Sequence, residues 1–235
     1  MPTILLFRKD PYKVTFTAEV TNANGKKIIL DRTCFFPQSG GQVGDKGEIN
    51  GVKVTDTQKD KDLNVVHILD SEPIFKAGDS VIGTIDWERR YKIMRLHSAS
   101  HIVYYVMQII FGKDCETASS GLVDDKKDRS DYLFKEKLDR EKISKVEERA
   151  NKIIAMDYEI KTWGDHKNPN YRYWKIYPFK AMPCGGTHVK NTIEIGKIFL
   201  KRGKKPGKGK ERIEIKLESP GSLAELNKRV YKKNS

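Results

Sequence analysis

Cysteine is scarce in this sequence, and its three thiols, Cys34, Cys115 and Cys184, stand far apart. An odd, dispersed set gives no disulfide framework and excludes a small stapled secreted scaffold. Long apolar runs are missing as well. The N-terminal Ile4-Leu5-Leu6-Phe7 is cut off by Arg8-Lys9, too short for a signal peptide or a membrane span, so the reading is a soluble cytoplasmic chain with no membrane partner. No internal repeat, low-complexity tract or Gly-Lys-Ser/Thr phosphate loop is found, which argues against nucleotide-driven chemistry. Acid is outweighed by base: 45 Lys and Arg against 32 Asp and Glu give a net charge of +13. That balance points to an anionic partner, and nucleic acid is the commonest one.

What is present divides in character. With 235 residues, 37% of them hydrophobic, the chain can bury one large core or two small ones. From Tyr12 to Trp87 it reads as short strands joined by turns. Val14–Val20 alternates, Asn24-Gly25 turns, and Lys27–Asp31 returns as a hairpin. Asn50-Gly51 joins Lys46–Ile49 to Val52–Thr55 in the same way, and Val65–Leu69 and Asp79–Asp86 add further strands. Such a series predicts a small antiparallel β-barrel over residues 1–88.

Beyond Trp87 the period lengthens. Ile93, Leu96, Ile102, Val106 and Ile109-Ile110 fall on a helical stripe stopped by Gly112. A second helix is expected over Arg140–Met156, with Ile143, Val146, Ala150, Ile153 and Ile154 facing inward. Strands are expected at Gly121–Val123, Tyr132–Phe134, Tyr158–Lys161, Ile193–Ile195 continuing to Phe199-Leu200, and Arg212–Ile215, with a short basic helix over Leu223–Ser235. Residues 89–235 are therefore read as an α+β domain with a mostly antiparallel sheet, and the whole chain as α+β. Between the last two strands, Lys201–Lys216 carries eight Lys or Arg against two Glu, a basic loop suited to following a phosphate backbone.

Two of the five histidines, His97 and His101, lie four residues apart in the first helix, so both rings share one face. Cys184 and His188 repeat that spacing in Pro183-Cys184-Gly185-Gly186-Thr187-His188, a turn that Pro183 keeps from being helical. The two pairs together make a tetrahedral donor set, one ion per chain. Thiolate with imidazole favours zinc over cobalt or iron. His67 and His166 have no partner at useful spacing. The stretch Asp31–Gly47, with Ser39-Gly40-Gly41-Gln42, reads as a turn or bulge with close backbone approach.

In combination, Leu30-Asp31-Arg32-Thr33 with Phe36 and Ser39–Asp45, then His97-Ser98-Ala99-Ser100-His101, then Pro183–His188, resembles the editing region of alanyl-tRNA synthetases. Without length for the aminoacylation and tRNA-recognition domains, the chain resembles the free-standing alanyl-tRNA editing proteins of the AlaX type, over roughly residues 12–216. The resemblance implies hydrolysis of the ester that joins a wrong amino acid, chiefly serine with glycine second, to the 3′-terminal adenosine of alanine tRNA. It implies that His97, His101, Cys184 and His188 hold zinc. It also implies that the motif around Gly40 and Gly41 closes over the pocket, and that Thr33 offers a hydroxyl to serine. Lys204, Lys205, Lys208, Lys210 and Arg212 would approach the acceptor stem, and no obligate protein partner is implied. Relatives carry a Gln near Thr117-Ala118-Ser119, and its role does not carry over. A site built on a serine hydroxyl rejects alanine by a factor on the order of 10⁴. Two other readings stand beside this one: an RNA-binding module with a structural zinc, and a deacylase for another aminoacyl-tRNA.

Overall fold

The computed structural model describes residues 2–112, 115–118, 121–134, 137–168 and 171–218; the basic helix expected over Leu223–Ser235 lies outside them. Two compact units divide the chain, Met1–Met94 and Arg95–Ser235.

In the first unit β1 (Ile4–Leu5) and β4 (Arg32–Thr33) form a short parallel pair that alternation did not announce. The hairpin of β2 (Thr15–Asn24) and β3 (Lys27–Leu30) turns at Gly25. β5 (Gly47–Ile49) and β6 (Val52–Lys59) turn at Asn50 and Gly51, both with positive φ, as a two-residue hairpin loop requires. With β7 (Val65–Leu69) and β8 (Ser80–Ile85) the sheet closes into a barrel in the order β2-β3-β7-β6-β5-β8. Alternate residues point inward, so Val20, Ile28, Leu30, Ile49 and Val54 fill the interior with no exposed surface. The barrel expected from the sequence is present.

The glycine-rich stretch is a loop closed at its base. Phe36 N–H donates to the Asp45 carboxylate at 2.6 Å, and Asp45 N–H donates back to the Phe36 carbonyl at 2.9 Å. At its tip Ser39 and Gln42 pair through both backbone bonds across Gly40 (φ 57°) and Gly41 (φ 85°), so the turn itself demands these two glycines. Gly44 is there for space, because a Cβ would lie 2.2 Å from the Thr57 carbonyl oxygen.

Helix α1 (Trp87–Phe111) opens on the Asp86 side chain, which accepts from Arg89 N–H, and ends at Gly112 with φ 83°. Ile93, Leu96, Ile102 and Val106 are buried as expected, whereas Ile109 is 44% exposed. Met94, Ala99, Val103 and Met107 are buried too, so the helix is enclosed over more than one stripe.

In the second unit β9 (Leu122–Val123), β10 (Asp128–Leu133), β14 (Ile198–Arg202) and β15 (Lys210–Leu217) form an antiparallel sheet in the order β14-β15-β10-β9. Helix α2 (Arg140–Ala155), capped by Asp139, buries Ile143, Val146, Ala150, Ile153 and Ile154. Its Asn151 side chain bonds both the N–H and the carbonyl of Ile198, fixing the helix on the edge strand. A separate ribbon joins β11 (Lys161–Gly164), β12 (Arg172–Lys175) and β13 (Met182–Pro183).

Two expectations need correction. Tyr158–Ile160 precedes the strand, which starts at Lys161. Ile193-Glu194-Ile195 is a 3-10 turn, because Asn191 and Glu194 cap each other's backbone and close it.

On the inner face of β10, Asp128 is 1% exposed and accepts from the Ser130 hydroxyl at 2.6 Å. Burial pushes its carboxyl up to about 7. The folded protein then holds this proton more tightly than the unfolded chain does. The stability it confers is complete below pH ~4 and is lost as pH rises towards 7. Asp128→Asn should therefore be more stable than the wild type at pH 8 by on the order of 2–4 kcal/mol, with the gain vanishing near pH 4. Urea unfolding at the two pH values checks this. An equal difference at both would refute the buried-proton account.

Candidate metal centre

The four donors that the sequence offered as two pairs converge in the second unit. His97 and His101 stand one turn apart on α1, with ring centroids separated by 4.9 Å. Cys184 leaves the ribbon directly after β13, and its N–H donates to the Arg172 carbonyl at 2.8 Å, which fixes where the thiol starts. The Cys184 sulfur lies 3.1 Å from His188 Nε2 and 3.6 Å from His97 Nε2. All four ligand atoms fall within 4.8 Å of one another.

These distances suit one ion. Bonds of ~2.3 Å to sulfur and ~2.0–2.1 Å to nitrogen imply donor–donor edges of roughly 3.3–3.6 Å in a tetrahedron. The chemistry of the donors agrees. Burial lowers His97 to about 4, and it holds His101 and His188 well below the usual histidine range, so all three rings are neutral at pH 7 with a nitrogen lone pair to give. His101 Nε2 is buried with no hydrogen-bond partner, an orphan that a metal bond would satisfy. Burial pushes the Cys184 thiol up to about 11, so a cation among the donors is what would draw out the thiolate.

Outer partners hold the ligands. The Ser98 hydroxyl lies 3.3 Å from His188 Nδ1 and accepts from Val189 N–H at 3.3 Å. That contact orients the ring so that Nε2 faces the sulfur. Trp174 of β12, fully buried, packs its indole 4.9 Å from the His101 ring. A Cβ on Gly185 would meet nothing within 4 Å, and no positive φ demands glycine there, so the turn leaves open space beside Cys184.

The other expected residues belong to other elements. Thr33, expected to meet a serine hydroxyl, is fully buried in the first unit. Its oxygen lies 2.9 Å from His67 Nε2 and accepts from Phe35 N–H. His67, which sequence spacing left without a partner, is thus part of a buried polar pair and is lowered to about 4 by burial. Gly40 and Gly41 form the loop tip already described.

Arg212 faces Asp131 across β15 and β10 and donates twice to its carboxylate, at 2.6 and 2.9 Å. Lys205 lies 3.5 Å from Glu211. No ion pair engages Lys204, Lys208 or Lys210 among the described residues. Sequence reasoning missed Trp174, Ser98 and the Asp45–Arg90 pair, since each takes its meaning from a partner distant in the chain.

Known proteins resemble both units. The description of class II (A) tRNA synthetases matches residues 4–89, and that of the threonyl and alanyl tRNA synthetase second additional domain matches residues 171–214. The alanine–tRNA ligases of Methanococcus maripaludis (strain C5) and Sulfurisphaera tokodaii are 34% and 35% identical over 95% and 91% of this chain, which spans only 27% and 26% of their lengths. The alanyl-tRNA editing protein AlaX-M of Pyrococcus horikoshii is 37% identical over 214 residues, covering 91% of this chain and 97% of that protein. A match of 37% identity that runs nearly the full length of both chains makes this protein a member of the AlaX family of alanyl-tRNA editing proteins.

Proposed function

We propose that this chain hydrolyses the ester of mischarged alanine tRNA, releasing serine chiefly and glycine second, with one zinc ion held by His97, His101, Cys184 and His188. The convergence of these four donors beside open space at Gly185 is the observation that carries the reading. Family membership supports tRNA as the substrate.

Bound zinc would supply a positive charge against which the ester or its amino group is held. The chain's own residues do the rest. Ser98 keeps the His188 ring in place, and Trp174 walls off the His101 side from water. An aminoacyl ester is already activated, so positioning and water control account for much of what is needed. Lys204 and Lys208 on the β14–β15 loop, with Lys210 at the start of β15, are the cations we assign to phosphate contact, while Lys205 and Arg212 have carboxylate partners within the fold.

The test is release of amino acid from seryl-, glycyl- and alanyl-tRNA specific for alanine by the full chain. Serine should be released in preference to alanine by a factor on the order of 10²–10⁴. With about three phosphate contacts, the rate at low tRNA should fall roughly 30-fold between 50 and 200 mM salt. Release no faster than in buffer would sink the reading. It would favour an RNA-binding module with a structural metal, to which a four-donor set also conforms.

A further inference from the structure

The ribbon that supplies Trp174 and leads into Cys184 has a second face. Cross-strand partners in an antiparallel pair point to the same side, and neighbours along a strand point to opposite sides. Thr162 pairs with Trp174, and Trp174 with Met182, so this row shares the face of the buried indole beside His101. Lys161 pairs with Lys175, and Trp163 with Tyr173, on the opposite face. The Trp163 and Tyr173 rings are stacked there, with centroids 5.6 Å apart and planes at 27°. Tyr171 belongs to the same row, because it precedes Tyr173 by two residues and its carbonyl accepts from Asp165 N–H in the continued ladder. Trp163 is 38% exposed and Tyr171 54%.

An exposed row of large aromatics is costly to keep in water unless something covers it. Its rim indicates what. Lys161 and Lys175 continue the row on the side away from Tyr171, each two residues, or about 7 Å of backbone, from the aromatic residue on its own strand. Among the described residues Lys161 meets only an exposed Glu159 at 3.3 Å, a contact of little strength in water. The nearby Asp165 carboxylate is engaged by Lys167 N–H, Asn168 N–H and the Tyr173 hydroxyl. Aromatic faces flanked by cations match unpaired nucleotides, whose bases stack while their phosphates seek positive charge. Protein–protein interfaces are enriched in Tyr and Trp but depleted in Lys, so aromatics flanked by two lysines in a chain of net charge +13 favour RNA.

We infer that the outer face of the β11–β12–β13 ribbon is a stacking platform for unpaired nucleotides of the tRNA next to its 3′ end. Trp163 and Tyr173 meet a base, and Lys161 and Lys175 meet the adjoining phosphates. This rests on tRNA being the substrate. The ribbon is then shared by two tasks: Trp174 on its inner face walls the metal centre, and its outer row grips the strand that carries the ester.

The experiment measures uncharged alanine-tRNA binding and steady-state deacylation with the full chain. Trp163→Ala should weaken binding and raise KM roughly tenfold, with a much smaller change in kcat. Trp163→Phe, which keeps a stacking ring, should recover most of the loss. Replacing Lys161 and Lys175 together by Ala should lower the salt dependence of binding by about one to two phosphate contacts. Wild-type affinity and KM in Trp163→Ala would overturn the platform and leave the row to a partner other than RNA. Absence of deacylation by the wild type would instead overturn the enzymatic reading, and the binding arm would still decide the platform.

Discussion

Replacing Cys184 by alanine should lower kcat/KM for seryl-tRNA more than about 100-fold, with zinc falling from one per chain to well below that. The scale follows from the neighbours of a metal site. Losing an outer partner costs roughly 10- to 100-fold in affinity or activity, so losing a ligand should exceed it. Ser98→Ala provides the inner comparison. Its hydroxyl holds His188 Nδ1 without being a donor of the set, so the variant should lose roughly tenfold and keep most of its metal. Metal analysis beside kinetics separates the cases. An active, metal-free Cys184→Ala protein would leave the four-donor cluster without a role in the reaction.

The largest effect on stability is expected at Asp45. Arg90, fully buried, directs its guanidinium to this carboxylate, with Nε at 3.0 and 2.9 Å from the two oxygens and Nη2 donating to Oδ2 as well. The same guanidinium donates to the carbonyls of Cys34 at 2.7 Å and Pro11 at 3.1 Å. Asp45→Ala would strand that cation in the interior and should cost about 3–5 kcal/mol. It would also remove the acceptor of Phe36 N–H at the base of the glycine-rich loop. Asp45→Leu combined with Arg90→Met should recover a large part of the loss, since a buried pair replaced by apolar groups is often nearly neutral. Denaturant unfolding of the single and double variants checks the coupling. Simple additivity of the two substitutions would show that the pair does not act as a unit.

What the sequence could disclose was local. Four-residue spacing placed His97 with His101 and Cys184 with His188, because a helix and a tight turn each fix neighbours by geometry alone. Strand alternation and Asn-Gly turns disclosed the barrel for the same reason. Thr33 and His67 are 34 residues apart and meet only once the barrel closes, so neither residue's surroundings could be read in advance. Ile193-Glu194-Ile195 carries a strand's alternation, yet the mutual caps of Asn191 and Glu194 prevail over propensity. Asp128 and Ser130 have the composition of a loop and nevertheless face a core, each satisfying the other. Cations counted along Lys201–Lys216 overstated the free charge, because Lys201, Arg202 and Arg212 are matched by carboxylates across strands and Lys205 by Glu211.

The ribbon's two faces make β12 unusually sensitive to reading frame. Along Tyr171-Arg172-Tyr173-Trp174-Lys175 odd and even positions serve opposite sides. Deleting one residue within the strand would exchange them, turning a tyrosine towards the histidines and Trp174 towards solvent. Conservative substitutions at any single position disturb one side only. A length change disturbs both at once, so this short strand should accept variation in side-chain type far more readily than variation in residue count.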